Sequence, residues 1–141
     1  MEYNDINFNL NDSFIEQFKN KQPKWGPLGY FTYKRTYARP IDNKGKTEEF
    51  WQTIKRVVEG VFLTQKQHCL HYSLPWEEKK AQQSARIMFK KMWDFKFLPP
   101  GRGLWAMGTD FVFKKGGACL NNCGFTSTAE INTEFSSPFI W

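Results

Sequence analysis

From Thr47 to Phe62 the chain repeats apolar residues at the spacing of one helix face, and no other stretch narrows the fold as much. Phe50, Trp51, Ile54, Val57, Val58, Val61 and Phe62 follow i, i+3, i+4, i+7. Thr47 offers an N-cap hydroxyl, and Glu48 and Glu49 stand where the positive end of a helix favours carboxylates. A stripe of this width has to be covered, so a helix here requires other elements packed on it. Gly60, inside the stripe, costs about 1 kcal/mol against alanine, which fits a close approach or a bend at that point.

A second helix is expected from near Pro75 to about Phe95, with Ser73 as cap, Pro75 in the first turn and Glu77 and Glu78 near the positive end. Its apolar face is Trp76, Ala81, Ala85, Met88, Met92 and Phe95, and Ile87, Phe89 and Trp93 make it wide enough to pack on more than one side. Residues 65 to 75 read as a connector. His68, Cys69 and His71 there invite a metal reading, but the spacing does not suit zinc, and a loop with a half-buried thiol is the expectation. Nearer the N-terminus, Asn11 or Asp12 can cap a short helix through about Lys19, with Phe14, Ile15 and Phe18 on one side. Pro23, Gly26, Pro27 and Gly29 then break the chain around Trp25. The run YFTYKRTYAR, residues 30 to 39, reads by its aromatic and β-branched content as an extended segment. Its Lys34, Arg35 and Arg39 are either solvated cations or part of a basic-aromatic face for phosphates or bases.

The whole chain is 141 residues, about one domain, with an aromatic share of 18% and a net charge of +6. That charge allows a polyanionic partner, yet the basic residues are scattered in ones and twos, so nucleic acid is not expected. The N-terminal MEYNDINFNLNDSF is acidic and polar, and no stretch approaches the roughly 18 apolar residues of a membrane span. These features predict a cytoplasmic protein without membrane contact, whose thiols stay reduced. Three cysteines, Cys69, Cys119 and Cys123, are too few for a disulfide framework.

Leu98 to Phe125 is the glycine-rich part. Pro99 and Pro100 end the second helix, and Gly101-Arg102-Gly103 let the backbone approach a neighbour closely. That is either a structural turn or a nest of backbone N–H groups holding phosphate, with Arg102 beside it. No strand precedes it and a third glycine is missing, so it is not a dinucleotide fingerprint. Gly108-Thr109 and Gly116-Gly117 bracket a short excursion, Asn121-Asn122 reads as a turn, and Cys123 to Thr126 enters an extended run. Composition reads Cys123 as a small buried hydrophobe, whereas chemistry reads it as a thiol at a strand start, open to a partner thiol.

Four motifs, in order, carry a resemblance: PKWGPLGYFTYKRTYAR at 23 to 39, KRVVEG at 55 to 60, PPGRGLWAMGTD at 99 to 110 and LNNCGF at 120 to 125. Together they resemble the N-terminal part of ribonucleotide reductases, most closely the monomeric, adenosylcobalamin-dependent (class II) ribonucleoside-triphosphate reductases, over roughly residues 14 to 141. The resemblance implies an α/β fold: a mainly helical N-terminal region, residues 1 to 97, leading into residues 98 to 141, the substrate loop and first strand of a ten-stranded α/β barrel left incomplete here. It also implies that Cys123 is one of the two thiols oxidised to a disulfide as the ribose is reduced. Pro100, Gly101, Arg102, Gly103 and Asn122 would lie near the substrate, a ribonucleoside di- or triphosphate. Cys119 stands where the family pattern asks for no cysteine.

The radical-forming cysteine, the partner thiol, most adenosylcobalamin-binding residues and the thiols that re-reduce the site belong, in relatives, to sequence not present in these 141 residues. The expectation is therefore a fragment or subunit of a split or truncated reductase, inactive alone. It would need a complementary chain with the rest of the barrel and a thioredoxin-like reductant. The short span from Thr126 to Ser137 predicts no effector-binding insertion after the LNNC strand, and Ser136 or Ser137 with Pro138 predicts a helix start before the apolar Phe139-Ile140-Trp141. Against this stands the reading of a small basic nucleic-acid-binding module built on residues 30 to 39, or of an inactive remnant.

Overall fold

A computed structural model describes residues 6–121 and 123. Its helices are α1 (Asp12–Ile15), α2 (Pro27–Thr36), α3 (Phe50–His71), α4 (Glu78–Trp93), α5 (Gly101–Ala106) and α6 (Asp110–Lys115), followed by a 3-10 turn at Gly117–Leu120. No strand occurs among the described residues, only a single antiparallel bridge between Pro40 and Thr47. The expected α/β architecture is thus helical as far as it is described. The strand expected beyond Cys123 and the helix expected at Ser136 to Pro138 lie outside the described residues.

The apolar stripe of α3 forms the core with α4. Phe50, Ile54, Val57, Val58 and Phe62 on α3 and Ala81, Ala85, Phe89 and Met92 on α4 are buried. The small Ala81 and Ala85 let the helices approach, while the rings of Phe14 and Phe18 close over Phe89 at 5.4 and 4.8 Å between centroids. Ile87, expected on the apolar face, is 50% exposed, so α4 packs on one side and turns the other to solvent.

Besides α1, which ends at Ile15 rather than near Lys19, three boundaries differ from expectation. The helix expected at Thr47 starts at Phe50, because Glu49 and Gln52 form the capping box while Thr47 pairs with Pro40. The expected connector 65 to 75 is helical to His71, since nothing in Gln65–Leu70 breaks the backbone. The second helix begins at Glu78, so Ser73 does not cap it. Ser73 instead sits at φ 52° just past α3, with its N–H on the Leu70 carbonyl and that of Leu74 on the Cys69 carbonyl. Phe95, at φ 54°, closes α4 the same way through Met92 and Lys91. Both ends are Schellman motifs with a non-glycine residue in the left-handed position.

Residues 30 to 39 are also corrected: 27 to 36 form α2, not an extended segment. Pro27 at the first helical position presets φ, and Tyr33 is drawn inward to bond the Thr53 hydroxyl at 2.7 Å. Tertiary burial outweighs the β preference of Tyr, Phe and Thr. Finally, residues before α1 strap across the hairpin: the Leu10 N–H donates to Glu59 at 2.8 Å, Lys66 to the Asn7 carbonyl at 3.0 Å and Gln82 to the Asn9 carbonyl at 2.6 Å. Phe8 stacks on Phe62 with centroids 5.3 Å apart.

Candidate functional site

The glycine-rich part is held against α3 by polar bonds to its backbone. Arg56 donates through Nε to Glu48 Oε1 at 2.8 Å and through Nη2 to Glu48 Oε2 at 3.0 Å, a two-point ion pair. The same guanidinium reaches the Leu104 carbonyl at 2.7 Å and the Met107 carbonyl. Arg39 donates to the Trp105 carbonyl at 2.9 Å and lies over the Trp105 ring at 4.6 Å. The Thr109 hydroxyl donates to the Ala106 carbonyl at 2.6 Å. Every orphan carbonyl at the end of α5, 104 to 107, therefore has a side-chain donor.

Glu48 is the hub. It is 8% exposed and also accepts from the Thr53 hydroxyl at 2.7 Å. Burial alone would push its carboxyl up, but the bonds from Arg56 and Thr53 and the Arg56 charge outweigh it and hold the group below the usual carboxylate range. Burial pushes the Tyr33 phenol well above its ordinary value, so it stays neutral beside Thr53. Glu59, under the strap, is raised chiefly by burial, against the bonds from the Leu10 N–H and Lys55.

Glycine is required where α3 crosses the loop after α5. A Cβ on Gly60 would meet Gly108 Cα at 2.5 Å, and Gly108, at φ 77°, would bring its own within 2.2 Å of the Arg56 carbonyl oxygen. Gly60 thus serves close packing rather than a bend.

Every expected site residue but Asn122 has a place among the described residues. Pro100 is the N-cap of α5, and Gly101, Arg102 and Gly103 form its first turn, so the loop is a helix start. The N–H groups of Gly103 and Leu104 bond the Pro100 carbonyl, which leaves those of Gly101 and Arg102 as the amides a ligand can meet. Arg102 Nη1 donates to the Asn121 carbonyl at 2.6 Å, bringing the loop within two residues of Cys123, which is exposed. Asn122 lies outside the described residues. Cys119 bonds the Gly116 carbonyl through its thiol at 3.1 Å.

The basic-aromatic face expected of residues 30 to 39 is largely engaged: Tyr33 is buried, Lys34 pairs with Glu49 at 2.7 Å and Arg39 holds Trp105. His68, Cys69 and His71 sit at the end of α3, and among the described residues no group of three metal-ligating side chains converges. What the sequence reading missed is the Glu48–Arg56 clamp. Its signal was the column Thr53, Arg56, Gly60 beside the apolar stripe, a polar edge at helical spacing with a glycine in line.

Comparison with known proteins places these observations. The family model for the ribonucleotide reductase alpha domain matches residues 10–109. The adenosylcobalamin-dependent ribonucleoside-triphosphate reductase of Euglena gracilis is 41% identical over 138 residues, 95% of this chain and 19% of that protein. The enzyme of the same name from Lactobacillus helveticus is 40% identical over 120 residues, 82% of this chain and 16% of that protein. A solved B12-dependent (class II) ribonucleotide reductase superposes with a TM-score of 0.69 at 38% identity, covering 82% of this chain and 16% of that one. The chain spans less than a fifth of the length of these relatives.

Proposed function

The chain belongs to the ribonucleotide reductase alpha family, and from that footing we propose that it is the N-terminal part of an adenosylcobalamin-dependent reductase acting on ribonucleoside triphosphates. It supplies Cys123 as one thiol of the reducing pair and Pro100, Gly101 and Gly103 with Asn122 as part of the substrate surface, with Arg102 beside them. The observation that carries this is the Arg102–Asn121 bond, which sets the glycine loop beside the segment bearing an exposed Cys123. Two thiols can deliver what the reaction needs: their S–H bonds break, a disulfide forms, the 2′ C–O bond breaks, and the hydroxyl leaves as water while hydrogen takes its place. A thiyl radical on a cysteine elsewhere in the assembled enzyme starts the sequence, and a thioredoxin-like reductant returns the disulfide to thiols.

Activity then requires a complementary chain or segment carrying the rest of the barrel. Large apolar side chains on the surface support such a partner: Leu28 and Phe31 share the outer face of α2, and Phe111 and Phe113 lie on α6. Adenosylcobalamin would supply the radical chemistry from that remainder. The groove of the described residues lined by Asn11, Gln82, Arg86, Ile87 and Lys90 is an open surface groove bordered mainly by polar and charged side chains, without the enclosed apolar depth to cradle a corrin. No helix among the described residues is long and apolar enough to cross a membrane, and we place the enzyme in the cytoplasm, where thiols stay reduced. The test is to capture the tagged chain from its own cells and identify what accompanies it. A chain bearing the remaining barrel is expected, and Cys123→Ser in the assembled enzyme should abolish multiple turnover. Full turnover by that variant would overturn the assignment of Cys123.

A further inference from the structure

Arg102 is exposed, yet one nitrogen of its guanidinium is committed. Nη1 donates at 2.6 Å to a neutral acceptor, the Asn121 carbonyl, 19 residues along the chain. The helix that carries it cannot drift, because its far end is fixed by Arg56, Arg39 and Thr109 on four successive carbonyls, and Arg56 is in turn locked on buried Glu48. Asn121 has its own N–H on the Ala118 carbonyl, closing the 3-10 turn that bears Cys119. One continuous polar path thus runs from the hairpin core through α5 to the residue two before Cys123.

We infer that Arg102 is a positioning residue for the Cys123 thiol rather than a ligand of substrate phosphate. The inference rests on the reading of Cys123 as a reducing thiol. Sulfur must meet both a partner sulfur and the substrate, and small misplacements of a reacting group lower rates steeply. A charged donor on a backbone carbonyl is a short, directional tether suited to that task. A phosphate that drew Nη1 into its own fork would compete with the tether and loosen the segment at the moment its placement matters.

The test separates the two roles without needing activity. In the 141-residue chain, iodoacetamide alkylation of Cys123 is followed by peptide mass spectrometry, with Cys69, on α3, as internal reference. Arg102→Met keeps the aliphatic stem and removes every donor, and the helical signal in circular dichroism confirms folding. Release of the tether should raise the Cys123 rate at least threefold with Cys69 unchanged, and millimolar inorganic triphosphate should leave the wild-type rate unaltered. In the assembled reductase the same variant should lower kcat at least tenfold with KM for the nucleotide within twofold. An unchanged Cys123 rate overturns the inference. So does protection of wild-type Cys123 by triphosphate that Arg102→Met abolishes, or a rise confined to KM. If Cys123→Ser retains turnover, the reading of the thiol fails instead, while the alkylation rates still report whether the tether exists.

Discussion

The α3–α4 hairpin and the stretch from Pro100 to Asn121 are held together by different physics. The hairpin is fixed by apolar burial: Phe89, Met92, Ile54, Val57 and Val58 are almost wholly covered, and their fit is non-directional. The glycine-rich stretch buries little beyond Leu104, Ala106, Met107 and Val112, and its backbone is gripped by Arg56, Arg39 and Arg102. Apolar packing tolerates a range of side chains of similar volume. Bonds to carbonyls fix the chain trace itself and leave few alternatives at Gly60 and Gly108. The region nearest the proposed chemistry is thus the one whose backbone is most directly specified.

The largest effect should come from breaking the first kind of order. Phe89→Ala removes a ring touching Phe14, Phe18 and Trp93. It should cost about 3–5 kcal/mol by denaturant unfolding and affect the whole molecule. Arg56→Met attacks the second kind. It strands the buried Glu48 carboxylate and two carbonyls, for about 3 kcal/mol, and hydrogen exchange should rise in residues 101 to 109 well before the hairpin loosens. Equal protection loss in both regions would dissolve the distinction.

Acid sharpens the contrast further. Glu48 is held below its ordinary value, so its contribution is complete above the usual carboxylate pKa and is lost as pH falls through the depressed one. Glu59 is raised, so its ionisation opposes stability as pH climbs through the carboxylate range. In a Glu59→Gln background, lowering the pH from 7 to 3 should therefore release residues 101 to 109 first, read by exchange or by the fluorescence of Trp105. The smallest effect is a gain: Ser73→Gly relieves a left-handed residue at the end of α3 and should add about 1 kcal/mol to the hairpin, with no change at Cys123.

How much of this was readable follows the same division. The core of α3 and α4 was legible because apolar periodicity is local, and Phe50, Ile54, Val57, Ala81, Ala85 and Met92 fall where spacing puts them. Residues 27 to 36 misled because Tyr, Phe and Thr favour strands until Tyr33 finds Thr53, 20 residues away. Thr47 looked like a cap, but a cap is decided by backbone geometry, and Glu49 with Gln52 held it better. The arginine clamps join residues 48 and 51 positions apart, a relation no window of sequence contains. Of the site, the glycine loop was visible as unusual composition, whereas its form as a helix start tethered to Asn121 was not.

The strap ahead of α1 has a consequence for synthesis. Residues 7 to 10 leave the ribosome well before their partners Glu59, Lys66 and Gln82, to which they are bonded across sequence gaps of 49, 59 and 73. Closing such loops has an entropic cost that is recovered only after α4 exists. The strap must therefore wait for these partners until residue 82 has cleared the exit tunnel, and Phe8 spends that interval in the care of whatever shields apolar surface there.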